Sequence, residues 1–265
     1  MVTDNIDIFI TTHKEFVPKV KNPMYKILYS RDDIPRAEGC GLDIHVCNAS
    51  YLPLDDRYLS DFYHMKWVRD NLVLKDYVGF IQYRKYFTFM DMQLDFDQLF
   101  KDYDVLVAKP TLYKRYTFEK QFAVCHNIDD LRLMVDIVKE LFPAYAEKTD
   151  MLMRSKLVFP HNVFVMKRED FKKYVDFEFD CMEEFLKRIN CKSGEDIDRR
   201  IEENKEKYLK NFYPNSEEWY QRRLVAYLME RLTNIFIVNE FDRLCMSKIK
   251  ITETKYKDKK DYSDE

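Results

Sequence analysis

Glycine is nearly missing from this chain: Gly39, Gly41, Gly79 and Gly194 are the only four in 265 residues. Neither G-x-G-x-x-G nor G-x-x-x-x-G-K-[ST] can be written, which excludes a Rossmann dinucleotide fingerprint and a P-loop. Any phosphate bound here must be held by side chains, helix N-termini or a metal. No apolar run approaches the ~20 residues that a membrane span needs. The opening Met1-Val2-Thr3-Asp4-Asn5 lacks the basic and apolar regions of a secretory signal. A soluble, cytoplasmic protein is expected, with peripheral membrane contact at most. The net charge of −3 and pI near 6.0 provide no overall pull toward nucleic acid. The six cysteines, Cys40, Cys47, Cys125, Cys181, Cys191 and Cys245, form no C-x-x-C pair and are read as reduced thiols. Cys40, His45 and Cys47 lack a second ligand pair at zinc spacing and are read as structural.

What the chain has is apolar and aromatic bulk, 46% and 15% of its residues, enough for one large core. Residues 7–10 read as a strand ending in Thr11-Thr12-His13-Lys14. A short strand near 26–29 follows, within a segment broken by Pro18, Pro23, Pro35 and Pro53. Residues 59–71 have helical apolar spacing and feed a strand, Tyr77-Val78-Gly79-Phe80-Ile81. That strand breaks abruptly into Gln82-Tyr83-Arg84-Lys85-Tyr86-Phe87. Residues 104–108 read as another strand, closed by Lys109-Pro110. Residues 129–141 read as a helix capped by Asn127, 163–166 as a late strand, and 169–189 as one or two helices. The charged stretch 194–210 reads as a solvated helix or flexible insertion. Asn215 with Glu218 forms a capping-box pattern opening a helix to about residue 232.

In open α/β sheets the ligand crevice lies beyond the carboxyl ends of the strands. Arg84 and Lys85 with Tyr83 and Tyr86 could there clamp a diphosphate, Arg by its planar fork and Tyr by stacking; a salt-bridged sheet edge is the alternative. His13 and Lys14 carry the same two readings. His126 and His161 each stand beside an Asn, although a satisfied structural histidine is the default. On the 215–232 helix, Arg223 and Glu230 are seven residues apart, about two turns along one face with Tyr227 between. That spacing suits holding a ligand more than direct pairing, a solvated face being the bland alternative. Asp102-Tyr103-Asp104 has the D-x-D form but precedes its strand, so Asp104 is read as structural.

Taken in order, Thr12-His13-Lys14, Gln82-Tyr83-Arg84-Lys85-Tyr86-Phe87, Cys125-His126-Asn127, Asn162-Val163-Phe164-Val165-Met166 and Arg223 through Leu232 resemble a known family. It comprises bacterial capsular and exopolysaccharide biosynthesis proteins, long catalogued as a domain of unknown function and regarded as glycosyltransferases. The family's central motif is H-Y-R-R-Y-F, from which this chain departs at Gln82 and Lys85. The resemblance implies a GT-A-like fold, a Rossmann-type central mixed sheet flanked by helices. It would form a single α/β domain over 1–247 with a helical C-terminal part; the Lys-, Asp- and Glu-rich composition of 248–265 is read as a charged, disordered tail. It also implies a nucleotide-sugar donor, most often a UDP-sugar, and a glycan acceptor. Glu230, Arg223 and His161 are then the expected catalytic residues. Thr11, Thr12, His13, Lys14, Gln82, Tyr83, Arg84, Lys109 and Asn162 are the expected donor-binding set. A divalent Mn or Mg ion has no well-placed D-x-D to hold it. The alternative is a non-catalytic nucleotide- or glycan-binding protein that keeps the fold.

Overall fold

The computed structural model describes residues 5–37, 39–89, 92, 94–208 and 218–252. Strands β1 (Ile6–Thr12), β2 (Tyr25–Tyr29) and β3 (Asp43–Val46) come first. Helices α1 (Asp56–Leu59) and α2 (Asp61–Asn71) then lead into β4 (Tyr77–Gln82) and the short β5 (Lys85–Phe87). Next come α3 (Phe96–Asp102), β6 (Val105–Ala108), β7 (Thr111–Leu112), α4 (Phe118–Cys125), α5 (Ile128–Leu141) and α6 (Ala146–Arg154). Strands β8 (Leu157–Val158) and β9 (Phe164–Lys167) precede the long α7 (Arg168–Arg188), α8 (Gly194–Glu203) and α9 (Lys205–Tyr208). The described chain closes with α10 (Glu218–Gln221), α11 (Leu224–Glu240), β10 (Leu244–Ser247) and β11 (Ile249–Ile251).

One sheet carries seven strands in the order β10-β6-β9-β4-β1-β2-β3. Every pairing in it is parallel except those of β9 with β4 and with β6, so β9 alone runs against the rest. Both faces are covered, which explains the near-continuous apolar runs of β1 and β4. Phe9, Leu28, Val78, Phe80 and Phe164 bury one face against α2, α5, α7 and α11. Ile8, Ile10, Ile27, Ile81 and Val165 bury the other against Phe16, Phe87 and Phe96. Gly79 sits at the centre, where an added Cβ would lie 3.0 Å from both Ile8 Cγ1 and Val165 Cγ2. A side chain there would push β1 and β9 away from β4.

This topology gives the sheet one functional edge. The carboxyl ends of β1, β4 and β6 lie on it, and because β9 is antiparallel, its amino end carries His161 and Asn162 to that same edge.

Three expectations are corrected. The helix expected from Asn215 to about 232 is broken at Arg222 and Arg223, and α11 instead runs on to Glu240; Asn215 itself lies outside the described residues. The break has a tertiary cause: Gln221 donates to the Cys125 carbonyl while Arg223 donates to Ser60 Oγ, which pulls side chains two residues apart toward different elements. The folded chain also passes the expected boundary at 248, because β11 pairs with β5, Ile249 opposite Phe87 and Ile251 opposite Lys85. Two isoleucines among lysines are too short a signal to outweigh the charge around them. Finally, α8 is more than a solvated helix, since Ile197 and Ile201 bury one stripe of it in the core.

Candidate active site

The site begins with a parity argument. Side chains alternate along a strand, so Thr11 continues the row of Phe9 on β1, and Gln82 the row of Val78 and Phe80 on β4. Thr11 and Gln82 are register partners across the β1–β4 ladder. The apolar rows thus end side by side in two polar groups, and α2, packed on that face, begins directly above them. Its first residue, Asp61, accepts from both: Thr11 Oγ1 at 2.8 Å and Gln82 Nε2 at 2.5 Å. Ser60, at φ 53° between α1 and α2, turns the chain into this position and takes the Arg223 guanidinium on its hydroxyl.

Around Asp61 stand loops of opposite charge. Thr12 Oγ1 accepts from the Lys14 N–H at 3.1 Å and donates to the Lys14 carbonyl at 2.7 Å, so it shapes the loop. His13 is exposed with its ring edge-on to Tyr83 at 5.7 Å. The surrounding protein and the Lys14 and Arg223 charges pull its pKa down to about 4. Arg84 lies 5.9 Å from the Tyr83 ring centroid. Lys85 Nζ meets His161 Nδ1 at 2.8 Å. Lys can only donate, so Nδ1 accepts and the neutral ring carries its proton on Nε2. Burial first and Lys85 second push the His161 pKa down to about 4, which keeps that ring neutral.

His161 and Asn162 both adopt left-handed backbone, φ 75° and 51°, immediately before β9. Such conformations cost free energy and persist where the surroundings impose them. Here a buried polar network does so. Thr233 Oγ1 on α11 lies 3.2 Å from Asn162 Oδ1, 3.0 Å from Glu178 Oε1 and 2.8 Å from Tyr174 Oη. Burial raises the Glu178 pKa well above the ordinary carboxyl value, which favours its neutral form in this network.

Glu230 completes the edge. Burial raises its pKa, with Asp61 adding to the shift and Arg231, Lys85 and Arg223 opposing it. Among the described residues its carboxylate has no hydrogen bond or ion pair. An acid with these neighbours is poised to exchange a proton nearer neutral pH than an ordinary glutamate.

The structure therefore brings together Thr11, His13, Lys14, Gln82, Tyr83, Arg84, His161, Asn162, Arg223 and Glu230. Thr12 belongs to the loop's own scaffolding. Lys109 follows β6 directly but does not join the cluster: it is exposed, its backbone N–H is bonded to the Ser247 carbonyl at 2.7 Å, and it has no side-chain contact to the cluster among the described residues. Asp104 is structural, forked by Arg243 Nη2 at 2.6 Å and Nε at 3.2 Å. His126 is no exposed tip; it is buried and stacked on Tyr227 at 4.2 Å. Asp61 escaped sequence reasoning because an acid in a helix's first turn is ordinary; only the matched parity of Thr11 and Gln82 could have pointed to it. Among the described residues no three His, Cys, Asp or Glu side chains form a metal-holding group. A cleft of about 430 Å³, lined by Ser50, Asp55, Arg57, Tyr58 and Glu195, includes none of the edge residues. No described helix is long and apolar enough to cross a membrane.

The mixed sheet flanked by helices, with its polar site at the strand ends, is a GT-A-like fold. It resembles the apo structure of WbbM, a bifunctional glycosyltransferase, with a TM-score of 0.67 at 16% identity. The match covers 95% of this chain and 46% of that one, so the chain spans less than half of that structure's length. Residues 7–216 match the family described as Domain of unknown function (DUF4422), and the chain belongs to that family. No curated protein matches it.

Proposed function

We propose that this protein is a glycosyltransferase that moves a sugar from a nucleotide-sugar donor, a UDP-sugar, to a glycan acceptor in polysaccharide synthesis. One observation carries the reading: Lys14, Arg84, Lys85 and Arg223 come from three separate segments to a single sheet edge, around a half-buried acid of raised pKa, Glu230. Cations so placed suit a diphosphate leaving group, whose negative charge grows as the anomeric C–O bond breaks. Glu230 takes the proton from the acceptor hydroxyl as its oxygen bonds to the anomeric carbon, then releases it to solvent. His161, held neutral, offers its Nε2–H to the donor. The likeness of the fold to that of WbbM and of the sequence motifs to those of glycosyltransferases supports this assignment.

The test is a thermal-shift panel of UDP-, GDP- and CMP-sugars with and without Mn²⁺, followed by nucleotide release from any binder. A melting-temperature rise with one sugar nucleotide is expected. Glu230→Gln should keep that rise and lose turnover by about 10²-fold or more, the usual worth of a general base. No shift with any donor, or full activity in Glu230→Gln, would overturn the assignment.

A further inference from the structure

We propose that Asp61 binds hydroxyls of the donor's transferred sugar, as a specificity-determining residue; this rests on the glycosyltransferase reading. Its carboxylate is built into place: Thr11 Oγ1 fixes one oxygen at 2.8 Å and Gln82 Nε2 the other at 2.5 Å. An ionised carboxylate has about four acceptor positions, of which these donors fill two. Among the described residues no cation forms an ion pair with it. Asp61 is half-buried, at the edge where Lys14, Arg84, Lys85 and Arg223 gather.

An acid in that setting repels phosphate, so it does not serve the diphosphate that the cations suit. What a carboxylate recognises well is an O–H donor, with which it forms short, charge-assisted bonds. A sugar nucleotide offers such donors on its ribose and on its transferred sugar. Two relations favour the second. Asp61 acts electrostatically on Glu230, the acid placed beside the reacting carbon, and on His161 at the amino end of β9. The ribose lies across the diphosphate from that carbon. A site that hydrogen-bonds a substrate hydroxyl also discriminates strongly, because an analogue lacking it leaves the acid unpaired.

Calorimetric titration of the full chain with UDP, UDP-glucose and UDP-galactose tests this, comparing wild type with Asp61→Asn and Thr11→Val. Asp61→Asn should leave the UDP Kd within about threefold and weaken the preferred UDP-sugar by about tenfold or more, as loss of a charged hydrogen bond implies. Thr11→Val keeps the carboxylate and loosens only its orientation, so it should show the same pattern more weakly. It also carries the test if Asp61→Asn fails to fold. Equal losses for UDP and UDP-sugar would assign Asp61 to the ribose or phosphate and overturn the proposal. So would an unchanged UDP-sugar affinity, or the loss of a Mn²⁺-dependent gain in UDP binding. Wild type binding none of the three would instead remove the glycosyltransferase reading, and this proposal with it.

Discussion

Gln82 provides the sharpest test of how the site is assembled. If its task is to give an N–H to Asp61, then Gln82→His should be tolerated and Gln82→Leu should not, although Leu is closer to Gln in shape. The wild-type bond is charge-assisted and 2.5 Å long. Such bonds contribute about 1.5–3 kcal/mol, and because Asp61 is only half-buried, water can reach the vacated oxygen, which places the loss near the low end, about 1–2 kcal/mol. In a domain of this size each kcal/mol moves the melting temperature by about 2–4 °C. Gln82→Leu should therefore melt about 2–8 °C below wild type and, with Asp61 no longer fixed, turn over donor about tenfold more slowly. Gln82→His should keep most of both, since either imidazole N–H can replace the amide. Differential scanning calorimetry with an initial-rate assay measures the two effects side by side. Equal damage from His and Leu, or none from Leu, would refute the reasoning.

Two further outcomes follow from burial. His126 is pushed from 6.5 down to about 3 by burial, so it folds uncharged and its contribution is present above pH 6.5 and lost as the pH falls toward 3. The stability difference between wild type and His126→Phe should therefore shrink by about 1.4 kcal/mol per pH unit across that window, measured by urea unfolding at several pH values. A difference that does not change with pH would show that the ring is charged or exposed in the native state. Gly79→Ala should cost about 1–3 kcal/mol by overpacking, because its methyl would sit 3.0 Å from Ile8 and Val165 and 3.2 Å from the Phe164 carbonyl in the middle of the sheet. Unaltered stability in thermal denaturation would mean that the β1–β4–β9 packing is looser than described.

The sequence made some elements plain and concealed others for reasons visible residue by residue. β1, β4 and the Asn127-capped α5 were legible because each has one clear period and a chemical stop: Thr11, Gln82 and Pro143. β3 was not, since Asp43-Ile44-His45-Val46 is a half-exposed edge strand with no buried row. β10 and β11 follow a long helix, and they are strands only because β6 and β5 offer them partners. At the site, the residues at strand ends were legible, while their grouping was not. Arg223 and Glu230 were read as two ends of one helical face, whereas Arg223 stands at a helix break fixed by Ser60 on another element. The antiparallel direction of β9, which brings His161 to the edge, is a property of pairing and not of any local motif.

Gln82 stands where the motif resemblance implies His, a departure that on sequence alone suggests lost chemistry. The Asp61 contact gives it a different meaning. Both side chains present an N–H near the end of β4, and what Asp61 requires is that donor, so the replacement preserves the interaction while changing the group that makes it. The question of catalysis then passes to the two acids. Asp61 has its oxygens fixed by Thr11 and Gln82, while Glu230 is half-buried with no hydrogen-bond donor among the described residues and has its pKa raised. Carboxyl groups in such unlike surroundings divide their work: the one given hydrogen-bond donors is held in place and orients, and the one with a raised pKa exchanges protons. On that division Asp61→Asn acts mainly on donor binding and Glu230→Gln mainly on turnover. The reverse pattern would exchange their roles without disturbing the fold that brings them together.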